Sequence, residues 1–261
     1  MRNEFDDAVT EVTVRVYGSL NDFLPPQRRQ ITWPHVVGRR QSVKDLIESL
    51  GVPHPEIDLI LANGISVPFD CAVQNADRIA VYPRFTNVDI GTLTCVRPPP
   101  PDTVRFVVDV HLGTLARRLR LIGLDTAYRP GANDTELAEL ADREKRILLT
   151  RDHGLLKRRL VVHGYFVRET RPHPQLVEIL RRFGPLDLQP FSRCLRCNDV
   201  LRVVPRLAID AALLPRTRQH YDQFQACAGC ARIYWKGTHW ERLPRLIDAA
   251  REEAAHGGAS A

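Results

Sequence analysis

The sequence predicts a multidomain protein of mixed α+β and α/β class, in which three units follow one another along the chain. Three observations support this prediction. Alternating strands surround one helix in the N-terminal part, buried strands alternate with helices in the middle, and two Cys-x-x-Cys pairs lie near the C-terminus. Four consecutive prolines at 98–101 set the first unit apart, because such a run favours a stiff, extended spacer.

The N-terminal unit begins with a strand pattern, in which valines alternate with polar residues from Val12 to Val16. A second strand is expected around residues 31–33. The stretch "SVKDLIESLG" predicts a short helix that Ser42 caps, and "LILANG" and "RIAVYP" predict two further strands. The order β-β-α-β-β indicates a small α+β roll of the ubiquitin-like, β-grasp kind.

The middle unit alternates differently. The stretch "VRFVVDV" predicts a buried strand, and "HLGTLARRLRLIG" predicts a helix with apolar residues at spacings of three and four. Asn133 and Glu136 stand in capping-box register at the start of a second helix, "NDTELAELADREKR". Strands in "DTAYR", "ILLT" and "YFVRE", a helix or turn in "HGLLKRRLVVHG" and a helix in "HPQLVEILRRFG" complete the unit. Strands separated by helices predict a parallel sheet covered on both faces.

Three acids stand where the predicted sheet would bind a ligand. Asp109 ends the strand "FVVD", Asp152 comes two residues after Thr150 at the end of "ILLT", and Asp134 opens the helix before it. Ligands of open parallel sheets gather beyond the carboxyl ends of the strands. Converging carboxylates repel one another unless a cation neutralises them, and hard oxygen ligands suit Mg²⁺ or Mn²⁺. Each acid alone is also explained as a strand end, a helix N-terminal acid or a helix cap.

The chain is basic, with a formal net charge of +6 at pH 7 and a pI of about 9.2. This excess is compatible with a polyanionic partner but does not establish one. Arginine binds phosphate through its planar fork, so the arginines near the acids are candidates for holding phosphates of such a partner. The alternative is that they cover helix surfaces in solvent. The candidates are Arg117, Arg118, Arg120, Arg151, Arg158 and Arg159.

The two cysteine pairs, Cys194 with Cys197 and Cys227 with Cys230, predict a tetrahedral structural Zn²⁺ site. A redox dithiol fits less well, since two pairs with basic neighbours occur together. A closed four-sulfur site has no open position, so we expect it to contribute folding energy and not catalysis. Basic and aromatic residues after the second pair would stack on single-stranded bases or, equally, pack a strand. They are Arg232, Tyr234, Trp235, Lys236 and Trp240.

Three stretches of the sequence can be taken together: "FVVDVHLGTLARRLRLIGLDT", "NDTELAELADREKRILLTRDHGLL" and "RCLRCN". They resemble the Mut-seven C-terminal RNase family, over residues 104–243. That family has a PIN-like nuclease domain followed by a zinc ribbon. The resemblance implies that Asp109, Asp134 and Asp152 are the acids of a PIN-type metal site and that Thr150 is the hydroxyl residue beside the last acid. PIN domains often carry a fourth acid. The candidates for it are Asp125, Glu136 and Glu139.

The N-terminal unit contains the stretches "VTVRVYGSLNDFL", "LILANGISVPFD" and "DRIAVYPRF". These stretches resemble the ubiquitin-like sulfur-carrier proteins of molybdopterin and thiamine synthesis. Those carriers end in a free Gly-Gly, whereas this chain continues through Phe85 into a linker without one. Sulfur transfer is therefore not expected. We predict instead a docking or substrate-presenting module that offers a surface to a protein or to RNA.

Together these observations predict a metal-dependent ribonuclease that hydrolyses phosphodiester bonds of single-stranded or loop RNA. We expect an endonuclease with Mg²⁺ or Mn²⁺ in its catalytic site and a structural zinc in its ribbon. Two alternatives stay open. One is a non-catalytic RNA-binding or ribosome-associated module, and the other is a PIN-like nuclease that acts on DNA.

The predicted organisation is a ubiquitin-like domain at 1–88, a linker at 89–103, a PIN-like domain at 104–188, a zinc ribbon at 189–245 and a flexible tail at 246–261. No apolar run approaches the ~20 residues that span a bilayer. The N-terminal stretch also lacks the apolar core of a signal peptide. A cytoplasmic protein without a membrane partner is therefore expected.

Overall fold

The computed structural model describes residues 10–38, 40–85, 88–96, 98–99, 101–237, 247–250 and 252–254. These residues form two compact units. The first contains the described residues up to 99 together with 152–165, and the second contains 101–151 and the described residues from 166 onwards. The domain boundaries given above stay a prediction. No helix among the described residues is long and apolar enough to cross a lipid bilayer.

The first unit contains a five-stranded sheet and a helix, which confirms the predicted ubiquitin-like β-grasp roll. Its elements are β1 (Thr10–Val16), β2 (Thr32–Val37), α1 (Val43–Ser49), β3 (Ile57–Ala62), β4 (Ile65–Ser66) and β5 (Arg78–Pro83). The strand order is β2-β1-β5-β3-β4, with β1 antiparallel to β2 and parallel to β5. Among these strands, the two-residue β4 was not expected from the sequence.

Local sequence explains where α1 begins and ends. Ser42 Oγ accepts a hydrogen bond from Asp45 N at 3.1 Å, and Asp45 Oδ2 accepts one from Ser42 N at 3.4 Å, so the two residues form a capping box. Gly51 has a φ of +112°, which glycine adopts without a Cβ clash. Val43, Leu46 and Ile47 are fully buried and anchor the helix in the core.

In the RNase-like region, strands alternate with helices as predicted. The elements are β6 (Phe106–Val108), α2 (Gly113–Leu121), β7 (Thr126–Tyr128), α3 (Asp134–Arg143), β8 (Ile147–Thr150), α4 (His153–Leu156), β9 (Gly164–Phe166) and α5 (Pro172–Phe183). The sheet order is β7-β6-β8-β9, and β6 runs parallel to both β7 and β8. Every residue of β6 and β8 is buried, as is typical of a parallel sheet covered on both faces.

The helix α2 follows a 3₁₀ turn at Val110–Leu112. Its stripe residues Leu115 and Leu119 are fully buried. The chain turns away at Gly123, where φ is +94° and an added Cβ would collide with the Gln189 backbone. Glycine is therefore required at this helix end both for its backbone angle and for the close approach of a neighbouring segment.

The cysteine pairs lie on a small antiparallel sheet in the second unit. Its elements are β10 (Leu201–Val204), α6 (Arg206–Ile209), α7 (Pro215–His220), β11 (Phe224–Cys227) and β12 (Ile233–Trp235). The strand order is β10-β11-β12, and both pairings are antiparallel. Leu201 and Phe224 are buried in its core. This arrangement confirms the predicted ribbon at the level of its fold.

Candidate active site and metal centre

The end of β6 positions Asp109 at the carboxyl edge of the parallel sheet. Asp109 N donates to the Leu149 carbonyl at 3.0 Å, which continues the ladder between β6 and β8. Asp109 Oδ2 accepts a hydrogen bond of 2.7 Å from Thr150 Oγ1, at the end of β8. Both side chains are buried, with Asp109 only 4% exposed. The structure therefore brings together two of the predicted site residues.

The loop after Asp109 is held by Tyr128, a residue that the sequence did not point to. Tyr128 Oη donates to the Val110 carbonyl at 3.0 Å. A Cβ at Gly113 would lie 2.5 Å from the same Tyr128 oxygen, so this position has no room for a side chain. Tyr128 and Gly113 thus fix the turn that follows Asp109. The sequence signal for this close contact was Gly113, a glycine in the first turn of an otherwise strong helix.

Asp134 is the first residue of α3, whose N-terminus follows the carboxyl end of β7. The Asn133 side chain accepts hydrogen bonds from Thr135 N and Glu136 N, both at 3.0 Å. Glu136 Oε2 accepts one from Asn133 N at 2.8 Å, so the predicted capping box is present. Glu136 is therefore engaged in capping the helix. Asp134 is half-buried, and its role as a metal ligand stays a prediction.

Asp152 caps α4 within the first unit. Its Oδ1 accepts hydrogen bonds from Gly154 N at 2.6 Å and from Leu155 N at 3.2 Å. The helix-cap interpretation is therefore correct, and it is compatible with a second role for the same carboxylate, which has two oxygens. The Asp152 residue is exposed. Its assignment to a metal site stays a prediction.

A group of carboxylates tight enough to mark a metal site was not found among the described residues. The four cysteines are the one set of three or more Cys, His, Asp or Glu side chains there whose ligand atoms all lie within 4.8 Å of one another. The Mg²⁺ or Mn²⁺ site expected from the sequence therefore stays a prediction.

Asp125 is not the fourth acid of the site, because it precedes β7 and lies at the amino edge of the sheet. Its Oδ1 accepts hydrogen bonds from Arg146 Nη1 at 2.5 Å and from Asn198 Nδ2 at 2.8 Å. Burial tends to raise the pKa of Asp125, but the bonds from Arg146 and Asn198 outweigh it and lower the pKa. Glu139, the remaining candidate, is exposed on α3.

The prediction that Arg120 binds phosphate is wrong. Its side chain is buried, and its residue exposure is 2%. Its Nε donates to the Thr126 carbonyl at 2.8 Å, and its Nη1 donates to the Leu195 and Arg196 carbonyls at 3.0 and 2.8 Å. The guanidinium therefore joins α2 and β7 to the first cysteine pair. Sequence reasoning placed it on a solvated helix face because the partner segment is more than seventy residues away.

The other candidate arginines differ in their exposure and in the hydrogen bonds that they donate. Arg117, Arg158 and Arg159 are exposed, and Arg118 is half-buried. Arg151 is exposed as well, but its Nη1 donates to three carbonyls of the segment after β9, at Val167, Arg168 and Glu169. A role in binding phosphate stays a prediction for these five residues.

The four cysteine sulfurs form a compact group that fits a zinc ion. The Sγ atoms of Cys194 and Cys230 lie 3.6 Å apart, and those of Cys197 and Cys227 lie 3.2 Å apart. Tetrahedral coordination at a Zn–S distance of ~2.3 Å requires sulfurs that are about 3.8 Å apart. The group is therefore close to the geometry of a structural zinc site, and no sulfur needs a large movement to reach it.

The two cysteine pairs share one backbone conformation. Cys197 N donates to Cys194 Sγ at 3.5 Å, and Cys230 N donates to Cys227 Sγ at 3.4 Å. The residue after each pair, Asn198 or Ala231, has a positive φ of 77° or 55°. Each pair thus forms a tight turn whose N–H groups point at sulfur, which favours the thiolate that binds a metal.

The sulfurs differ in their electrostatic surroundings. Burial acts to raise the pKa of Cys194, but hydrogen bonds from Tyr234 and from backbone N–H groups outweigh it and lower the pKa to about 6. Burial raises the pKa of Cys197 to about 12, and it also raises the pKa of Cys227. Tyr234 Oη lies 3.1 Å from Cys194 Sγ. Tyr234 is thus a partner of the sulfur group, which explains one of the aromatics predicted to stack on bases.

For the other residues after the second cysteine pair, stacking on single-stranded bases stays a prediction. Arg232 and Lys236 flank β12, and Trp235 is partly exposed. The Trp235 ring packs against Tyr221 at a centroid distance of 6.2 Å. Trp240 lies outside the described residues.

The fold and the sites define a multidomain protein in which a β-grasp domain precedes a nuclease-type parallel sheet and a four-cysteine ribbon. The family model described as the Mut7-C RNAse domain matches residues 104–247, and the model described as Mut7-C ubiquitin matches residues 9–89. The chain therefore belongs to the Mut7-C RNAse domain family, which confirms the resemblance predicted from the sequence. No curated protein and no solved structure matched the chain.

Proposed function

We propose that this protein is a metal-dependent ribonuclease that cuts single-stranded or loop RNA as an endonuclease. Membership in the Mut7-C RNAse domain family supports the reaction class. The observation that carries the catalytic assignment is the buried pair of Asp109 and Thr150 at the carboxyl edge of the sheet, where open parallel sheets bind ligands.

The surroundings of Asp109 favour a cation beside it. Thr150 donates a hydrogen bond to Oδ2, and no described residue donates to Oδ1. Oδ1 is not among the buried polar atoms that lack a partner, so it stays within reach of a ligand from solvent. Carboxylate oxygen is the ligand type that Mg²⁺ and Mn²⁺ prefer, so a divalent cation could bind there. The donor set of this edge therefore fits the metal that the family relationship implies.

In this proposal Asp109, Asp134 and Asp152 hold the metal. When it is bound, the metal lowers the pKa of a water molecule and stabilises negative charge on phosphate oxygens. Thr150 orients the Asp109 carboxylate, and Tyr128 holds the turn that follows it. Asp152 contributes from the start of α4, where its Oδ1 is already oriented by two backbone N–H groups.

The RNA backbone would be held by the arginines that stay accessible around these acids. Arg117 lies on the exposed face of α2, and Arg158 and Arg159 follow α4. Contacts of this kind release counterions, so RNA affinity should fall steeply with added salt. Arg120 has no part in this role, because its guanidinium is buried against backbone carbonyls.

The four cysteines are proposed to hold one structural zinc. The spacing of the sulfurs and the N–H groups that point at them support this role. Elemental analysis of the purified chain should find one zinc per chain, and Cys194→Ser or Cys227→Ser should lower that ratio. Iron in place of zinc, or no metal in the parent chain, would contradict the assignment.

The decisive assay is cleavage of matched RNA and DNA oligonucleotides by the full chain in Mn²⁺, with EDTA as the blank. Asp109→Asn should lower the rate at least on the order of a hundredfold, since even loss of a residue behind a metal ligand costs 10- to 100-fold. Asp187→Asn is the matched control, because Asp187 is exposed and contacts only Gln189 among the described residues.

The three functional hypotheses predict different results in this assay. A ribonuclease cuts RNA and spares DNA, and Asp109→Asn abolishes that activity. Salt-sensitive RNA binding without turnover would favour the non-catalytic binding module. Equal cleavage of both strands would favour a nuclease that also acts on DNA.

A further inference from the structure

We infer that the ubiquitin-like domain holds the segment 152–165, and with it Asp152, in the conformation that the metal site requires. Although this segment lies inside the match to the RNAse domain, it packs with the N-terminal domain as one compact unit. The inference rests on the proposed function, because it gives the N-terminal domain a role in that same reaction. Three separate contacts carry it.

The first contact is made at the start of α4, beside Asp152. The His153 ring packs edge-on against the Phe23 ring, with centroids 5.1 Å apart and an interplanar angle of 70°. Phe23 is 9% exposed and belongs to the core of the ubiquitin-like domain. Aromatic pairs of this geometry add about 0.5–1.5 kcal/mol beyond the burial of their surface. His153 is otherwise exposed, and this ring contact joins the residue next to Asp152 to the N-terminal domain.

The second contact is made at the other end of α4. Lys157 is the C-terminal cap of this helix, and its Nζ donates to the Glu48 carbonyl at 2.7 Å. Glu48 is in the last turn of α1, and its carbonyl also accepts a hydrogen bond from Gly51 N at 3.1 Å. The carbonyls at a helix C-terminus carry partial negative charge, which favours a cation. A helix end of the ubiquitin-like domain therefore binds the end of α4.

The third contact is a buried histidine that bridges the domain and the segment. His54 Nδ1 lies 2.6 Å from Glu48 Oε1, and His54 Nε2 lies 2.9 Å from the Val161 carbonyl. Because a carbonyl oxygen can only accept, Nε2 donates to Val161, and the ring joins α1 to the segment through its two nitrogens. His54 is 7% exposed, which means that water is largely excluded from these bonds.

The backbone of the segment also comes close to the domain. A Cβ at Gly164 would lie 2.7 Å from Leu156, 3.0 Å from Val161 and 3.3 Å from Pro55. Glycine is needed here because the chain folds back against its own helix and against the turn that carries His54. Leu155, Leu156 and Val161 are fully buried, so the segment contributes to the core of this unit.

These contacts control Asp152 because α4 is too short to be stable alone. It has only four residues, whereas helices shorter than ~12 residues are marginal in water. The Asp152 carboxylate is oriented by the N–H groups of Gly154 and Leu155, which point at it only while α4 is formed. His54, Lys157 and Phe23 are thus positioning residues, and they act through α4 on the Asp152 carboxylate.

The test compares hydrogen exchange and metal dependence in the full chain. His54→Ala removes the bridge to Val161, and Lys157→Met removes the ammonium group while keeping the apolar stem. Lys157→Arg keeps a cationic donor. His35→Ala is the matched control, since His35 lies on β2, at the edge of the sheet in the same domain. Exchange is followed at the hydrogen-bonded amides of Leu156, Lys157, Arg158 and Val161.

We expect exchange of these four amides to become about tenfold faster in His54→Ala and in Lys157→Met, as happens when a local opening loses one hydrogen bond. Amides of β6 and β8 should keep the exchange rates of the parent chain. The Mn²⁺ concentration for half-maximal RNA cleavage should rise about tenfold in both variants, as for other groups that orient a metal ligand. Lys157→Arg and His35→Ala should behave like the parent chain.

Parent-like exchange at residues 156–161 in Lys157→Met would overturn the inference, whether or not the chain cleaves RNA. His54→Ala does not decide the matter if it unfolds the whole domain, and Lys157→Met then provides the answer. Faster exchange together with an unchanged Mn²⁺ requirement would also overturn it, because Asp152 would then act independently of α4. If the parent chain shows no metal-dependent cleavage, the proposed function fails, and the exchange data still decide whether the domain holds the segment.

Discussion

The two edges of the parallel sheet each carry a shielded aspartate, and the two side chains differ in how far their charge is compensated. Asp125, at the amino edge, accepts hydrogen bonds from Arg146 and Asn198 and lies 3.4 Å from Arg193 Nη2. Asp109, at the carboxyl edge, is more deeply buried and receives one hydroxyl hydrogen bond to its side chain. The same residue type is therefore saturated with donors at one edge and poorly compensated at the other.

This difference separates a structural aspartate from a candidate catalytic one. At the amino edge, two arginines and an asparagine join β7 and β8 to the first cysteine pair, so the charge of Asp125 serves to hold the ribbon. At the carboxyl edge no described arginine or lysine donates to Asp109, whose side chain receives a hydrogen bond from Thr150 alone among the described residues. We propose that the sheet uses its amino edge for assembly and its carboxyl edge for chemistry.

The largest expected effect is the contrast in activity between Asp109→Asn and Asp125→Asn. Asp109→Asn should lower kcat for RNA cleavage at least on the order of a hundredfold, while its free energy of unfolding stays close to that of the parent chain, because asparagine keeps an oxygen that accepts from Thr150. Asp125→Asn should keep a parent-like kcat and be less stable. Cleavage assays and urea unfolding of the same preparations test the contrast, and a similar loss of activity in both variants would break it.

The next effect concerns Arg120, which belongs to the amino-edge assembly. Arg120→Met leaves the carbonyls of Thr126, Leu195 and Arg196 without this donor. We expect the free energy of unfolding to fall by about 3 kcal/mol, since each buried group left unsatisfied costs about 1–3 kcal/mol. Arg117→Met on the exposed face of α2 is the control and should change stability by less than about 0.5 kcal/mol. Equal stability of the two variants would contradict the assigned role.

A smaller effect is expected from acid, and it has a definite sign. The pKa of Asp125 in the folded chain is below its ordinary value of 3.8, because hydrogen bonds from Arg146 and Asn198 outweigh the effect of burial. A depressed pKa contributes stability that is present above the unfolded pKa and is lost as pH falls through the folded pKa. Between pH 6 and pH 3 the parent chain should therefore lose more stability than Asp125→Asn does. Urea unfolding at both pH values measures this, and parallel pH profiles would contradict it.

Local signals in the sequence predicted the helices and strands well, whereas distant contacts were not predictable from it. The capping boxes at Ser42 and Asn133 are formed by residues three apart, so the sequence shows them directly. Asp109 and Thr150 meet because each ends a buried parallel strand, and strand ends can be read from apolar runs. The pairing of these two residues was therefore within reach of sequence analysis.

The roles of Arg120 and His54 lie beyond such analysis for the same physical reason. Arg120 is buried by a cysteine turn 75 residues away, and His54 binds a carbonyl 107 residues away. Neither position differs in local pattern from a residue on a solvated surface. The attachment of residues 152–165 to the ubiquitin-like domain is likewise a property of tertiary packing. The apolar residues of that segment indicated burial but not the partner.

The smallest expected effect concerns Tyr128, which lies beside the turn after Asp109 at the carboxyl edge of the sheet. Tyr128→Phe removes the hydroxyl that donates to the Val110 carbonyl, in the turn directly after Asp109. The free energy of unfolding should fall by about 1 kcal/mol, the net contribution of a typical hydrogen bond. The kcat for RNA cleavage should fall several-fold more than it does in Tyr221→Phe, a control in the ribbon. Because phenylalanine keeps the aromatic ring of Tyr128, a changed kcat would report on the position of Asp109 and not on lost packing. If both variants lost stability and kcat equally, Tyr128 would have no particular role in positioning Asp109, and the turn would be held by Gly113 and the β6–β8 ladder alone.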